Sequence, residues 1–287
     1  MKRRDFRNSP GIRQIKKKKR KILGQKILFS FLLSAGIFTG TVFLFGWQKL
    51  NIQTVKVSEA AGAETEKIKQ SVEKEISGNY LFFFPKKNFL LYPSRSILKK
   101  LSGEFKMFKD ISLRISKDRA LLVSLTPRKA SYLWCGEEYK RSAKEPCYFL
   151  DDTGYIFEEA PFFSGNVYFK FYGKLAGEES NPAGMEYLSG IFNKIILFKK
   201  TLEEIGLRPF ALQGMDAGNM EFFLSSSNSS PLPPAVIFNA NGDFNILAEN
   251  LHTALSTEPL RSDFQKKYSS LEYIDLRYGN RVYYRFR

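Results

Sequence analysis

Residues 27–47 carry no charged side chain over 21 positions, and this run constrains everything around it. As a helix rising about 1.5 Å per residue it would reach about 31 Å, the thickness of a bilayer's hydrocarbon core. Lipid offers no partners to backbone N–H and C=O groups, so only a helix suits such a run. Trp47 closes it, where an amphipathic ring fits the headgroup layer. The sequence therefore predicts one transmembrane helix over 27–47. Within it, Gly36 and Gly40 form a G-x-x-x-G, a spacing that lets two helix backbones approach closely. They are a candidate helix–helix contact, beside the plainer reading that glycine is frequent in membrane helices.

Charge sets the expected orientation. Residues 1–26 hold twelve Lys and Arg against one Asp5, which is +11 of the chain's formal +16. A short basic flank stays on the cytoplasmic side. The expectation is a single-pass protein of the plasma membrane with a cytoplasmic tail (1–26) and about 240 residues translocated. The tail can also rest on anionic membrane lipid, each basic side chain near the surface contributing about 1 kcal/mol. A run such as 16–21 is also of a kind that binds nucleic acid. Next to a spanning helix, topology accounts for it, and no nucleic-acid partner is expected. A cleaved signal peptide would have an apolar core of roughly 7–15 residues with small residues close behind. The core here is longer, and Ala61-Gly62-Ala63 lies too far beyond it, so the run reads as an uncleaved anchor.

After the span, 51–57 alternates as a strand does, with Ile52, Val55 and Val57 as its apolar members. From about residue 62 the period changes: Ile68, Val72 and Ile76 recur every four residues among charges, one apolar stripe on a solvated helix that Gly78 ends. Residues 81–85 read as extended because of Pro85. A second helix starts after Pro93, with Ile97, Leu98 and Leu101 inward and Gly103 as its stop. Ile111, Leu113 and Ile115 alternate with polar residues, Lys117-Asp118 turns, and 120–125 returns as a strand. The order β-α-α-β-β makes 51–127 one unit.

Residues 128–287 read mostly as strands, including 220–224 and 235–238 joined by a Ser/Pro-rich loop. Two helices are expected, over 185–205 and over 245–255, the latter with Ile246, Leu247 and Leu251 on one face. The fold class is α+β: a single-pass protein with a β-α-α-β-β module, then a β-rich domain with one dominant sheet and two helices. At the end of the chain, Ile274, Leu276, Tyr278, Val282, Tyr284 and Phe286 are even-numbered, while Asp275, Arg277, Arg281, Arg285 and Arg287 are odd. That is one apolar and one cationic face at the period of a strand, with Gly279-Asn280 as a hairpin turn or a bulge. Such a strand at a sheet edge can accept a strand from another chain, its arginines drawing an acidic partner. The plainer reading is ordinary sheet with arginines for solubility.

Motifs for chemistry are sparse. Asp152-Thr153-Gly154 matches the aspartic-protease tripeptide, but that chemistry needs two carboxylates about 3 Å apart sharing a proton, and no second copy is present. An Asp-x-x-Gly between apolar runs is also what a hairpin turn wants. A membrane-anchored cell-wall enzyme or aspartic-type protease using Asp152 is the alternative reading; no enzyme is the preferred one. Cys135 and Cys147 flank 136–146 and are either one disulfide or two buried thiols. With them, His252 cannot complete a zinc site. G-x-S-x-G, P-loop and Rossmann patterns are lacking, so neither a cofactor nor a small-molecule substrate is expected. Asn228-Ser229-Ser230 fits a glycosylation sequon, a pattern that also arises by chance.

The order of parts resembles the bacterial cell-division family FtsQ/DivIB. A basic tail and one span precede a β-α-α-β-β module like that family's POTRA domain. Residues Ala130-Ser131-Tyr132-Leu133-Trp134 sit where it enters its second domain. The stretch 148–157, with Asp151-Asp152-Thr153-Gly154, is similar to its Asp-bearing hairpin, and Tyr273-Ile274-Asp275-Leu276-Arg277-Tyr278 to its C-terminal strand. Residues 219–242 match no pattern of the family. The resemblance implies a non-enzymatic scaffold of the division complex, binding single-span proteins of the FtsB/DivIC and FtsL type by strand pairing at the last strand. Arg277 and Tyr278 carry over from the matching Leu-Arg-Tyr, and Phe286 from an aromatic anchor position. Arg277 and Arg281 would attract acidic side chains, while Tyr278 and Phe286 would anchor apolar ones.

Overall fold

The computed structural model describes residues 10–58, 63–139, 146–176, 181–226 and 233–287. Residues 1–9 of the basic tail, Ala61-Gly62 and the sequon at Asn228 fall outside them. The apolar run folds into helix α1 (Pro10–Phe45), 36 residues long. Its stretch Lys17–Phe45 is long and apolar enough to cross a membrane. The helix starts well before residue 27 because nothing interrupts it: Lys and Arg are good helix formers, and Pro10 at the first position lacks an N–H that would find no helical partner. Trp47 lies just past its end. Added methyls at Gly36 and Gly40 would meet open space, so both glycines face outward from α1.

The chain divides into two units, Met1–Leu101 with Ile111–Leu125, and Ser102–Asp110 with Thr126–Arg287. After α1 come strand β1 (Thr54–Ser58), helix α2 (Ala63–Glu75), the two-residue strands β2 (Asn79–Tyr80) and β3 (Phe84–Pro85), helix α3 (Ser94–Glu104), and strands β4 (Phe108–Ile115) and β5 (Ala120–Pro127). The order β-α-α-β-β is present, with a small hairpin between its helices. Strand β5 lies between β1, to which it is parallel, and β4. The four-residue stripe is fully used: Ile68, Val72 and Ile76 are buried, as are Ile97 and Leu101 of α3 and Val55, Leu121 and Val123 of the sheet. Two expectations hold only in part. The first strand begins only at Thr54, since Ile52 and Gln53 donate their N–H groups to Lys87 and Arg119 outside the ladder. Of residues 81–85 only Phe84–Pro85 are extended, as β3; Leu81 (φ 47°) and Phe82 (φ 67°) reverse the chain between β2 and β3.

The second unit holds β6 (Tyr132–Trp134), β7 (Cys147–Leu150), β8 (Ile156–Ala160), β9 (Lys170–Tyr172), α4 (Phe192–Glu204), β10 (Pro209–Gly214), β11 (Asn219–Leu224), β12 (Ala235–Asn239), α5 (Phe244–Ser256), α6 (Leu260–Lys267), β13 (Leu271–Tyr278) and β14 (Arg281–Phe286). Among the described residues nine strands form one sheet in the order β14-β13-β12-β11-β10-β9-β6-β7-β8. Adjacent side chains alternate between faces. Leu212, Phe222, Val236 and Ile274 join Phe192, Ile195, Phe198, Leu202, Leu247 and Leu251 in the main core, beneath α4 and α5. Ala211, Phe223 and Ala235 point the other way, into a smaller cluster with Leu133, Cys135 and Tyr172. This is the expected α+β domain with one dominant sheet, but with three α-helices among its described residues. The sequence does not announce α6, which offers little beyond Leu260 and Phe264 as an apolar signal. The helix expected over 185–205 starts at Phe192, since Leu188 (φ 52°) and Gly190 (φ 82°) hold left-handed backbone. Ile246 is exposed, not on the buried face with Leu247 and Leu251.

Candidate partner interface

Strands β13 and β14 form an antiparallel hairpin whose turn uses Gly279 at φ 64°, a backbone region glycine enters freely. The carbonyl of Gly279 accepts a hydrogen bond from the Asn250 side-chain amide of α5 at 3.0 Å, which ties the turn to the domain. Strand β14 is the edge of the nine-stranded sheet, so one rim of its backbone has no partner strand among the described residues.

Register decides which side chains face outward. Ile274 lies opposite Tyr284, and Asp275 opposite Tyr283, but the next recorded pair is Tyr278 with Arg281, one residue out of step. A bulge between Asp275 and Tyr278 absorbs the extra residue, and a one-residue slip moves a side chain to the other face. The sequence pattern placed Tyr278 on the apolar even-numbered face; the bulge turns it to the face of Arg281 and Tyr283. Its ring packs edge-on against Tyr283 with centroids 5.1 Å apart, and both rings are exposed. Val282, Tyr284 and Phe286 keep the inward face and pack on the main core.

The four residues expected to bind a partner therefore separate. Tyr278 and Arg281 are exposed on the outward face. Arg277 is engaged at home: its Nε donates to Asp275 Oδ1 at 2.9 Å and its terminal nitrogen to Asp275 Oδ2 at 2.6 Å. This fork, and the carboxylate charge behind it, pushes the guanidinium pKa up from its ordinary value. Asp275 is buried beneath the arginine. Phe286 is half-buried opposite Leu271, so its ring serves the core rather than a free anchor. Arg285 pairs with Glu272 at 3.0 Å. Sequence reasoning passed over Tyr283, whose signal was an aromatic ring at an odd position among the arginines. It also passed over Glu221, which shares the outward face through the row Glu221–Ile237–Asp275–Tyr283 and whose carboxyl pKa is raised by burial, less the pull of Arg277.

The Asp152-Thr153-Gly154 tripeptide forms the turn between β7 and β8, with Gly154 at φ 88°. Its structural carboxylate is the residue before it. Asp151 is buried and accepts from the Thr153 amide (2.8 Å) and hydroxyl (2.6 Å), the Tyr155 amide (3.1 Å) and the Arg128 guanidinium, which also lies over the Tyr155 ring. Burial alone would push the Asp151 carboxyl up; these donors outweigh it and hold the pKa below the usual range. Asp152 itself is exposed and faces Lys109 at 3.4 Å. Cys135 and Cys147 are joined in a disulfide. Among the described residues no group of three or more His, Cys, Asp or Glu is placed to hold a metal ion. Compared with protein-family models and with curated proteins, the chain matches none.

Proposed function

We propose that this chain is a single-span scaffold of the bacterial division complex, of the FtsQ/DivIB type, and that it binds by adding a partner strand to β14. The exposed sheet edge, with Tyr278, Arg281 and Tyr283 on the outward face beside it, is the observation that carries this reading. The POTRA-like reading of 51–127 draws support from the strand–helix–helix–strand–strand order. An N-terminus in the cytoplasm draws support from the basic residues ahead of the apolar run. The disulfide suits an oxidising compartment for the translocated part. Partners of the FtsB/DivIC and FtsL type would supply an extended segment with acidic side chains for Arg281.

The test is co-purification from detergent extracts with mass spectrometry, comparing wild type with a Tyr278→Ala, Arg281→Glu, Tyr283→Ala triple variant. These three side chains are outward, so the variant should keep its unfolding midpoint while losing a single-span partner. Undiminished recovery of that partner would refute the assigned surface. Point substitutions are used because removing residues 281–287 would also take Val282, Tyr284 and Phe286 out of the core.

A further inference from the structure

The turn between β2 and β3 presents Leu81, Phe82 and Phe83 outward, with Leu81 78% and Phe82 91% exposed. Left-handed backbone at Leu81 and Phe82 is strained for residues with side chains, and glycine or asparagine would fill such a turn in water more readily. Strained backbone carrying exposed apolar side chains points to a function at the tip.

The occupant follows from what lies beneath. The rings of Phe83 and Phe84 pack edge-on against Phe38 of α1, with centroids 5.8 and 6.3 Å apart, and Phe84 also meets Phe45 at 5.9 Å. Phe38 lies seven residues before the end of α1, about 10 Å along the helix axis. The hairpin therefore lies alongside the last two turns of the apolar helix. Its height is fixed by Asn88, a fully buried side chain that donates to the Phe45 carbonyl at 2.9 Å and accepts from the Leu90 amide at 2.9 Å. Groups suited to headgroups flank this contact in the chain: Lys86, just after β3, lies over Tyr80, and Lys49, just after α1, lies over the exposed Trp47.

We propose that the 81–83 turn is a second membrane contact, inserting its apolar tip into the same leaflet that α1 leaves and holding the first unit against the bilayer surface. This rests on α1 being the span. An interfacial insertion of this kind reaches about 5–10 Å into the headgroup and acyl boundary.

The full chain carries two cysteines, and these are bonded to each other, so an introduced cysteine gives a single labelling site. Ser34→Cys, Phe82→Cys and Ser112→Cys, each labelled with an environment-sensitive fluorophore, are reconstituted in phosphatidylcholine–phosphatidylglycerol vesicles. Lipids carrying spin labels at shallow or deep acyl positions then act as quenchers. The expected result is deep quenching at 34, shallow quenching with a blue shift at 82, and neither at 112; Leu81→Cys repeats the reading at 82. Quenching at 34 without quenching at 81 and 82 overturns the insertion and leaves α1 as the span, the tip then being free for a protein. Loss of quenching at 34 as well overturns the span and the insertion with it.

Discussion

At the scale of single residues, the adjacent aspartates 151 and 152 separate structure from surface. Asp151 is buried with four donors, and removing a partner from a buried ion pair costs about 3–5 kcal/mol. Asp151→Asn should lower the unfolding free energy by that order at neutral pH, read as a lower urea midpoint, while Asp152→Asn, exposed beside Lys109, should change stability by less than about 0.5 kcal/mol. The pH dependence has a definite sign. A carboxyl held below its ordinary value of about 3.9 gives its full stabilisation above that pH and loses it as pH falls through the lowered pKa. The gap in midpoint between wild type and Asp151→Asn should therefore narrow in acid; a constant gap would contradict the assignment. Gly154 is constrained too. A methyl there would sit 2.7 Å from a Phe192 ring carbon at φ 88°, so Gly154→Ala should cost about 1–3 kcal/mol in the same measurement.

Among elements, what periodicity encodes was legible and what register encodes was not. Ile68, Val72 and Ile76 announce α2 because a four-residue spacing gives one buried stripe. The alternation over 274–286 announces two strands and their inward face. Nothing in the letters marks the bulge that turns Tyr278 outward, nor the hydrogen bonds that commit Arg277 to Asp275. Leu81 and Phe82 were invisible as a turn because neither residue type favours left-handed backbone. Of the four residues expected from sequence to meet a partner, Tyr278 and Arg281 are exposed on the outward face, whereas Arg277 is paired with Asp275 and Phe286 packs on the core. Two predictions belong here. Phe286→Ala should destabilise the fold by about 1–2 kcal/mol, below the 3–5 kcal/mol of a fully buried ring, as read by thermal unfolding. Reducing the disulfide, which closes a 12-residue separation, should cost about 3 kcal/mol, read as a lower urea midpoint in dithiothreitol.

At the scale of the whole molecule, the proposed scaffold holds to lipid by α1 and recruits another chain at the sheet edge β14. Protease added to intact cells should digest the part after α1 and leave the tail protected, because basic residues gather ahead of the apolar run. A protected bulk in cells, with digestion only in inverted vesicles, would reverse the orientation. The claim at the centre is strand addition at β14. Photo-reactive side chains placed in living cells at Arg281 and Tyr283, and at Glu158 on the opposite edge strand β8, test it directly. Adducts with a single-span membrane protein are expected from 281 and 283 and none from 158; adducts from 158 alone would refute strand addition at β14.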